Sequence, residues 1–198
     1  RVVLTGMGSS YFGGYPAWLH LVSAGVPAWH METSELLHYA SALVTPRTLL
    51  WVISQSGESA EIIALLQRTK PGHLLAITNT PGSTLAKQAQ TVLYLNAGTE
   101  MNVSTKTYLN TLAVVQLAAH RLTGTDLAQA VAELTQLIAA SRPYLANLDQ
   151  NVATYAASVG LPKRLLYLGR GPSLASVFTG ALTTKESTKF TVEGMSSG

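Results

Sequence analysis

Three serines within six residues form a polar loop with the chemistry to bind an anion. The segment Ser54–Ser59 reads SQSGES and joins an apolar run directly to a helical pattern. Serine hydroxyls and the N–H groups at a helix start both donate hydrogen bonds, and the helix dipole adds partial positive charge there. The pattern therefore favours Ser54, Ser56 and Ser59 as a cradle for a phosphate monoester that needs no lysine or arginine. The alternative is an ordinary helix cap and turn, in which serine and glycine are also common.

A glycine-rich loop with two serines follows the first apolar run. Gly6–Ser10 reads GMGSS, so the Ser9 and Ser10 hydroxyls can face a sugar. A G-x-G after a first strand also suggests a dinucleotide site, in which Glu32 would hold a ribose. Tyr11 stands where that fingerprint requires a third glycine, which disfavours this alternative. An ordinary helix cap is the third interpretation.

Two later segments add candidate polar groups. Gly98–Lys106 (GTEMNVSTK) opens a long helical pattern, where Ser104 either caps the helix or contacts a ligand. Gly180–Lys189 (GALTTKESTK) carries Glu186 between two lysines on a predicted helix. Taken alone, these charges indicate a solvated helix face with an i,i+3 ion pair.

The elements that must position these groups follow from the apolar pattern. Short apolar runs without polar alternation are typical of parallel strands covered on both faces. Helical stretches separate them, which predicts right-handed βαβ crossovers and a three-layer, doubly wound α/β sheet with the order 2-1-3-4-5. Ligands bind such a sheet beyond the carboxyl ends of its strands, where the first two loops lie. The predicted strands are Val2–Leu4, Ala28–Met31, Thr48–Ile53, His73–Thr78 and Thr91–Leu95, and the predicted helices are Ser10–Ala24, Ser34–Ala42, Glu58–Lys70 and Ser83–Gln88.

Beyond Ser104 the sequence changes to long helical patterns. Asp126 is suited to cap the second of these helices, and Pro143 suits the start of a third, over Tyr144–Ser158. A new apolar run begins at Arg164, where LLYLGRGPS repeats the strand, G-x-G and serine of VVLTGMGSS. This repetition predicts that a second copy of the fold begins there.

Composition excludes several classes of protein. With 47% hydrophobic and 12% charged residues, the 198-residue chain can bury a large core and is neither disordered nor a coiled coil. Its net charge of +3 comes without any run of basic residues, which disfavours a nucleic-acid partner. Cysteine is absent, the five histidines show no metal-ligand spacing, and no apolar run reaches the ~18 residues that span a membrane. Because the chain opens inside a strand-like run, we expect further residues before Arg1 and after Gly198.

Five segments together resemble the SIS (sugar isomerase) domain family, and within it the isomerase half of glucosamine-6-phosphate synthase. They occur in the family's order over nearly the whole chain, and SQSGE followed by NAGTE and STK is a specific combination. The segments are GMGSSYFGG, SQSGESAEI, LAITNTPGSTLAKQA, NAGTEMNVSTKTYLNTL and LGRGPSLASVFTGALTTKES. The resemblance implies a flavodoxin-like, five-stranded parallel sheet that occurs in tandem, in agreement with the repeat at Arg164.

The resemblance also implies roles for individual residues. Phosphate contacts are implied for Ser54, Gln55, Ser56 and Ser59. Sugar contacts are implied for Ser9, Ser10, the backbone near Val103, and Ser104. Glu186 becomes the candidate general base that moves a proton between C1 and C2 of an open-chain hexose phosphate, and no metal or organic cofactor is implied.

This sequence departs from the synthase pattern at three points. Thr183 stands where the family's G-A-L-K-x-K-E has its first lysine, and the stretch before Ser104 is one residue shorter. The glutaminase domain of the synthase is not in this chain. A histidine and a C-terminal lysine that the rest of a second domain supplies are also missing, so we expect the chain alone to be catalytically incomplete.

We therefore predict the phosphosugar-binding domain of a sugar-phosphate isomerase, or of an aminosugar-phosphate aminotransferase or deaminase, without a glutaminase domain. Its ligand would be a hexose or aminohexose phosphate. The alternative is a non-catalytic, regulatory SIS module that senses sugar phosphates. The predicted organisation is a first SIS domain over 1–125, connecting helices over 126–160 and the beginning of a second SIS domain over 161–198. We also expect a homodimer formed through the apolar helices beyond Ser104 and a cytoplasmic location, with no nucleic-acid or membrane partner.

Overall fold

The computed structural model describes residues 1–101, 103–160 and 162–198. Asn102, inside the Gly98–Lys106 segment, and Leu161, the first residue of the predicted second copy, lie outside the described residues. Strands alternate with helices in the first half, as the apolar runs predict. In chain order the elements are β1 (Val2–Gly6), α1 (Ser9–Ser23), β2 (Ala28–Glu32), α2 (Thr33–Tyr39), β3 (Leu49–Ile53), α3 (Ala60–Arg68), β4 (His73–Thr78), α4 (Thr84–Gln88) and β5 (Thr91–Tyr94), with a short 3-10 turn at Ser41–Leu43.

The five strands form one parallel sheet in the order β2-β1-β3-β4-β5, which confirms the predicted fold class and strand order. β1 is buried along its whole length, and β3 and β4 are buried except at their first residues. Trp51 and Ile53 of β3 pack in the core on the α1 side, while Leu50 and Val52 pack in the core on the α3 side. Burial on both faces explains why these strands do not alternate apolar with polar residues.

Three helices follow the sheet: α5 (Lys106–Thr123), α6 (Leu127–Ala146) and α7 (Leu148–Val159). α5 packs against α1, where Gly13 provides the space, since a Cβ atom on Gly13 would lie 2.9 Å from the Thr111 methyl group. This close approach places the start of α5 beside the carboxyl end of the sheet.

The ends of α6 confirm one prediction and contradict another. Asp126 caps α6 as predicted, and its side chain accepts hydrogen bonds from the N–H groups of Ala128 and Gln129. The predicted helix start at Pro143 is wrong, because α6 continues through this residue to Ala146. Proline removes only one hydrogen bond, and the helix of 20 residues continues despite this loss. The helix ends just before Asn147, whose side-chain amide donates to the Pro143 carbonyl oxygen at 2.9 Å.

A second βαβ unit ends the chain. It consists of β6 (Leu165–Gly169), α8 (Leu174–Thr188) and β7 (Val192–Ser196), and β6 and β7 pair in parallel. β6 and α8 agree with the predicted repeat, whereas β7 is not predicted by the sequence analysis. The division of the chain into SIS domains at 125 and 161 stays a prediction.

α8 connects this second unit to the first half of the chain. The ring centroids of Phe12 on α1 and Phe178 on α8 lie 5.5 Å apart. The Tyr108 hydroxyl on α5 and the Ser176 hydroxyl on α8 lie 3.3 Å apart. α8 thereby packs beside the N-terminal parts of α1 and α5. Within the described ranges, every helix is too short or too polar to cross a membrane.

Candidate functional site

The loops after β1 and β3 lie side by side at the carboxyl end of the sheet. Gly6 at the end of β1 is paired with Ile53 at the end of β3. A Cβ atom on Gly6 would lie 2.9 Å from the Ile53 carbonyl oxygen, so glycine is what lets the chain turn this close to β3. Gly8 adopts φ +52°, and α1 begins directly after it. Ser9 and Ser10 therefore occupy the first turn of α1 at this end of the sheet.

The serine loop after β3 is held by its own backbone. Ser54 is buried, and its hydroxyl oxygen accepts a hydrogen bond from the Gly57 N–H group at 3.1 Å. The Ser56 hydroxyl oxygen accepts a hydrogen bond from the Glu58 N–H group at 3.2 Å. Gly57 has φ +66°, and a Cβ atom there would lie 2.7 Å from the Ser83 Cβ, so the loop packs tightly on the start of α4. Since both serine oxygens accept bonds from the loop, both hydroxyls keep a hydrogen to donate.

α3 begins without a side-chain cap. Ser59 precedes its first residue and makes no capping hydrogen bond, so the ordinary-cap interpretation is wrong for this serine. The Ser59 hydroxyl instead lies 3.5 Å from that of Ser54. The Glu58 carboxylate turns away to accept a hydrogen bond from the Thr84 N–H group, and this bond lowers the pKa of Glu58. The first N–H groups of α3 consequently have no acceptor within their own helix.

A carboxylate organises the start of α5. Glu100 accepts hydrogen bonds from the N–H groups of Thr105, Lys106 and Thr107 at 2.9, 2.7 and 3.3 Å. Partial burial raises the pKa of Glu100, but bonds from the Thr107 hydroxyl and from the Thr105 and Lys106 amides outweigh burial and lower this pKa to about 2. The interpretation of Ser104 as the cap of this helix is therefore wrong. Its hydroxyl lies 2.8 Å from the Thr107 hydroxyl, which in turn donates to Glu100.

One cavity of about 360 Å³ lies where these segments meet α8. Five residues with predicted roles line it: Ser9, Ser10, Gln55, Ser104 and Glu186. The remaining wall comes from Met7, Gly8, Glu100, Met101, Thr107 and Leu182. The structure does not bring Ser54, Ser56, Ser59 or Val103 into this wall. The cavity thus unites the first turn of α1, the start of α5 and α8, with the serine loop reaching it through Gln55.

A more open cleft of about 570 Å³ adjoins this cavity and shares Gln55 and Glu100 with it. Polar side chains of this cleft are engaged in hydrogen bonds to the protein backbone. Asn79, for example, donates to the Gly98 carbonyl oxygen at 2.8 Å and accepts from the Ala97 N–H group at 2.9 Å. The smaller cavity is therefore the better candidate for chemistry.

The Glu186 carboxylate is exposed and forms no ion pair within the described residues. The predicted i,i+3 ion pair is wrong, because the Lys189 ammonium donates to the Glu186 backbone carbonyl oxygen at 3.0 Å. Lys185 pairs with Glu193 at 3.5 Å. Thr183, which stands at the family's lysine position, donates its hydroxyl hydrogen to the Gly180 carbonyl oxygen and does not line the cavity. Glu186 is thus a carboxylate without a cationic partner at the cavity wall.

The sequence analysis missed two residues of this site, Glu100 and Thr107. The available signal for Glu100 was weak: a carboxylate shortly before a helix start, where the helix dipole favours negative charge. Among the described residues, no three histidine, aspartate or glutamate side chains are grouped as metal ligands. The wall of the cavity presents hydroxyls, the amide of Gln55 and the carboxylates of Glu100 and Glu186.

Relatives and solved structures agree with this architecture. The glutamine–fructose-6-phosphate aminotransferases (isomerizing) of Pyrococcus horikoshii and Zymomonas mobilis are 31% and 34% identical over 208 and 212 residues, which cover 100% of this chain. The chain spans about a third of the length of these curated relatives, 34% of each. The solved C-terminal domain of glucosamine-fructose-6-phosphate aminotransferase from Francisella tularensis superposes with a TM-score of 0.81 at 27% identity, covering 100% of this chain and 58% of that one.

A glucosamine-6-phosphate deaminase from Thermotoga maritima superposes with a TM-score of 0.80 at 18% identity, covering 98% of this chain and 60% of that one, which shows a shared fold. The family model of the SIS domain matches residues 1–121, which is more than half of the sequence. This match includes the sheet, both serine-containing loops and most of α5. The chain therefore belongs to the SIS domain family.

Proposed function

We propose that the chain is the phosphosugar-binding domain of a sugar-phosphate isomerase, or of an aminosugar-phosphate aminotransferase or deaminase. The observation that carries this proposal is the cavity that gathers Ser9, Ser10, Gln55 and Ser104 beside the unpaired carboxylate of Glu186. Hydroxyl and amide groups match the hydroxyls of a sugar, and a carboxylate can move a proton between neighbouring carbons. The names of the aminotransferase relatives, which include an isomerizing activity, support the same class of reaction.

The proposed position of the phosphate is the serine loop, Ser54–Ser59. The hydroxyl hydrogens of the serine loop and the first N–H groups of α3 are the proposed donors for phosphoryl oxygens, at the positive end of a helix dipole. The cavity itself carries two carboxylates, Glu100 and Glu186, which repel a phosphate dianion. The phosphate is therefore expected at the loop and the sugar carbons in the cavity, with Gln55 between them.

Glu186 is the proposed general base. It takes the proton from C2 of an open-chain aldose phosphate, while the aldehyde oxygen gains a proton from solvent and an enediol forms. Glu186, whose proton exchanges in part with solvent while the enediol exists, then gives a proton to C1, and the C2 hydroxyl loses its proton to solvent to become the ketone. No lysine or arginine in the described part of the chain pairs with this carboxylate, so accepting a proton from the substrate breaks no ion pair. Ser9, Ser10 and Ser104 are proposed to hold the sugar hydroxyls, together with the backbone near Val103.

Binding and proton exchange test the proposal separately. Titration calorimetry measures the affinity of the chain for fructose 6-phosphate and glucosamine 6-phosphate. NMR in D2O follows loss of the C1 protons of the first ligand and of the C2 proton of the second, and it is run on the protein extended beyond Gly198, since the chain alone is expected to be catalytically incomplete. Glu186→Gln is expected to keep binding and abolish exchange, whereas Ser187→Ala, a control on the same helix, is expected to keep both. Replacing Ser54 and Ser56 together by alanine is expected to weaken binding at least about tenfold. Unchanged affinity in that double variant, or no binding of either ligand to the parent chain, contradicts the proposal.

The second candidate function is a sensor that binds sugar phosphates without turnover. Thr183 favours it, since this side chain bonds back to its own helix and supplies no charge to the cavity. The same measurements separate the two functions. A sensor binds the ligands but exchanges no protons, and Glu186→Gln leaves its behaviour unchanged.

A homodimer remains part of the proposal. Large apolar side chains are exposed on α6 and α7, among them Leu137, Ile138, Val152 and Tyr155. Exposed apolar patches of this kind mark interaction surfaces. Sedimentation of a clean monomer at micromolar concentration would contradict a dimer formed through these helices.

A further inference from the structure

A chain of hydrogen bonds runs from the start of α5 to the wall of the cavity. Its members are the carboxylate of Glu100, the hydroxyl of Thr107 and the hydroxyl of Ser104. Thr107 is 1% exposed, so its hydroxyl cannot turn to water instead. Ser104 is half-buried and lines the cavity, so its remaining bonding capacity faces a ligand.

The hydrogens along this chain can be assigned one by one. The Glu100 carboxylate is ionised, since three backbone N–H groups donate to it, and an ionised carboxylate only accepts. The Thr107 hydroxyl must therefore give its single hydrogen to Glu100. That leaves the Thr107 oxygen as an acceptor toward Ser104, 2.8 Å away, so the Ser104 hydrogen is committed to Thr107.

We propose that Ser104 presents lone pairs to the cavity and acts as a hydrogen-bond acceptor for the ligand, with Glu100 and Thr107 as the positioning residues that impose this polarity. The ligand group at Ser104 must then carry a hydrogen, as a sugar hydroxyl or an ammonium group does. A phosphoryl oxygen, which has no hydrogen when the phosphate is a dianion, is excluded from this position.

The polarity of Ser104 is opposite to that of the serine loop. Ser54 and Ser56 accept hydrogen bonds from the loop backbone and keep their hydrogens, so Ser56 can donate toward a ligand and Ser54 can donate toward a ligand or toward Ser59. Two groups of serines with opposite polarity can orient a molecule that has acceptors at one end and donors at the other. A sugar phosphate is such a molecule. The identification of the ligand rests on the proposed function, whereas the assignment of the hydrogens does not.

Neutron diffraction from crystals of the chain grown in D2O tests the assignment without any ligand. The expected map shows the Thr107 deuterium directed at Glu100 and the Ser104 deuterium directed at Thr107. A Ser104 deuterium that points into the cavity, or a Thr107 deuterium that points at Ser104, overturns the proposal. Because this measurement needs no sugar phosphate, its outcome is independent of whether the proposed function holds.

Ligand selectivity tests the consequence. Glucose 6-phosphate and its 2-, 3- and 4-monofluoro derivatives are titrated into the chain, since fluorine accepts but cannot donate a hydrogen bond. At least one fluoro derivative is expected to bind about tenfold more weakly than the parent sugar. Thr107→Val leaves the Glu100 bonds to the α5 backbone in place but frees the Ser104 hydrogen, so it is expected to reduce the difference in affinity between the parent sugar and the fluoro derivative. Thr107→Ser is expected to keep that difference in affinity.

Equal affinities for all four sugars in the parent chain overturn the proposal, as does a difference that Thr107→Val leaves unchanged. Failure of glucose 6-phosphate, fructose 6-phosphate and glucosamine 6-phosphate to bind at all contradicts the proposed function instead, and the deuterium map then decides the polarity of Ser104 alone.

Discussion

The two sheets of this chain are built from the same strand–turn–helix unit, yet they differ in what covers them. All of β1 is buried, because helices lie on both faces of the five-stranded sheet. β6 alternates half-buried and exposed residues, and Leu166 and Leu168 are 62% and 60% exposed. α8 covers one face of the two-stranded sheet, and the other face is open. A similar strand–turn–helix pattern is thus covered on both faces in the first sheet and, among the described residues, on one face in the second.

This difference separates stability from chemistry. Most of the buried apolar side chains lie in the five-stranded sheet and the helices that cover it, and apolar burial is the main favourable contribution to folding. The candidate base, Glu186, lies on α8 of the less covered unit, while Ser9, Gln55 and Ser104 extend from the stable one. The cavity is complete when α8 is docked on α1. Three predictions test how independent the two regions are.

The largest expected effect comes from matched leucines on the two sheets. Leu50 is fully buried on β3, and Leu166 is exposed on β6. Leu50→Ala is expected to lower the free energy of unfolding by about 2–5 kcal/mol, because it leaves a cavity in a packed core. Leu166→Ala is expected to change it by less than about 0.5 kcal/mol. Urea unfolding measures both. Similar losses for the two variants would show that the open face of β6 is covered in solution.

The sequence predicted the five-stranded sheet because its strands are continuous apolar runs between turn residues. β7 lacks this signal. Its sequence VEGMS holds a charge and a glycine, and Gly194 packs closely on α8, where a Cβ atom would lie 3.1 Å from the Val177 carbonyl oxygen. Such a strand is defined by its contact with α8 rather than by its own composition. The helix start predicted at Pro143 is wrong for a related reason, because the hydrogen bonds of the surrounding helix outweigh the local preference of one residue.

The candidate site was likewise predictable only in part. The loops after β1 and β3 were predictable, because parallel strands bring their carboxyl ends to one edge and those two loops hold the glycines and serines. Glu100 was not, because its bonds to Thr105, Lys106 and Thr107 depend on how the preceding segment folds back on the helix. Ser104 lines the cavity but bonds to Thr107 instead of capping α5, and its contact with a ligand stays a prediction. The sequence indicates which loops carry the chemistry, while the hydrogen-bond pattern within them requires three dimensions.

The pH dependence of stability is expected to originate mainly in the first region. His30 on β2 packs against Tyr11 and Trp18 of α1, and burial lowers its pKa to about 4, against a small opposing effect of its hydrogen bond to the Tyr11 carbonyl oxygen. A histidine with a lowered folded-state pKa binds protons more readily when unfolded. The contribution of neutral His30 to the free energy of unfolding is therefore fully present above about pH 6.5. It is lost as the pH drops toward 4, and the loss is about 2–3 kcal/mol.

Urea unfolding at pH 7, 6 and 5 measures this loss, in a window above the range where Glu100 begins to lose its charge in the unfolded chain. His30→Gln is expected to flatten the profile. A smaller slope in the same direction should persist, because burial and the neighbouring His120 lower the pKa of His20 as well. If the free energy of unfolding of His30→Gln depended on pH as it does in the parent chain, groups other than His30 would cause the pH dependence. The prediction that it originates mainly in the first region would then be wrong.

The smallest effect is expected at the contact that joins the regions. Phe178→Ala removes the ring that lies 5.5 Å from Phe12, and because Phe178 is only partly buried, the expected cost is about 1–2 kcal/mol. This cost should fall on the docking of α8. Amide hydrogen exchange of α8 and β6 is then expected to accelerate about tenfold while exchange in β3 stays unchanged, since local opening is governed by the contacts of the opening unit. Leu168→Ala, on the open face of β6, is the control that should accelerate neither. Equal acceleration in β3 would mean that the two sheets unfold together, and that the second unit is part of the first core despite its exposed strands.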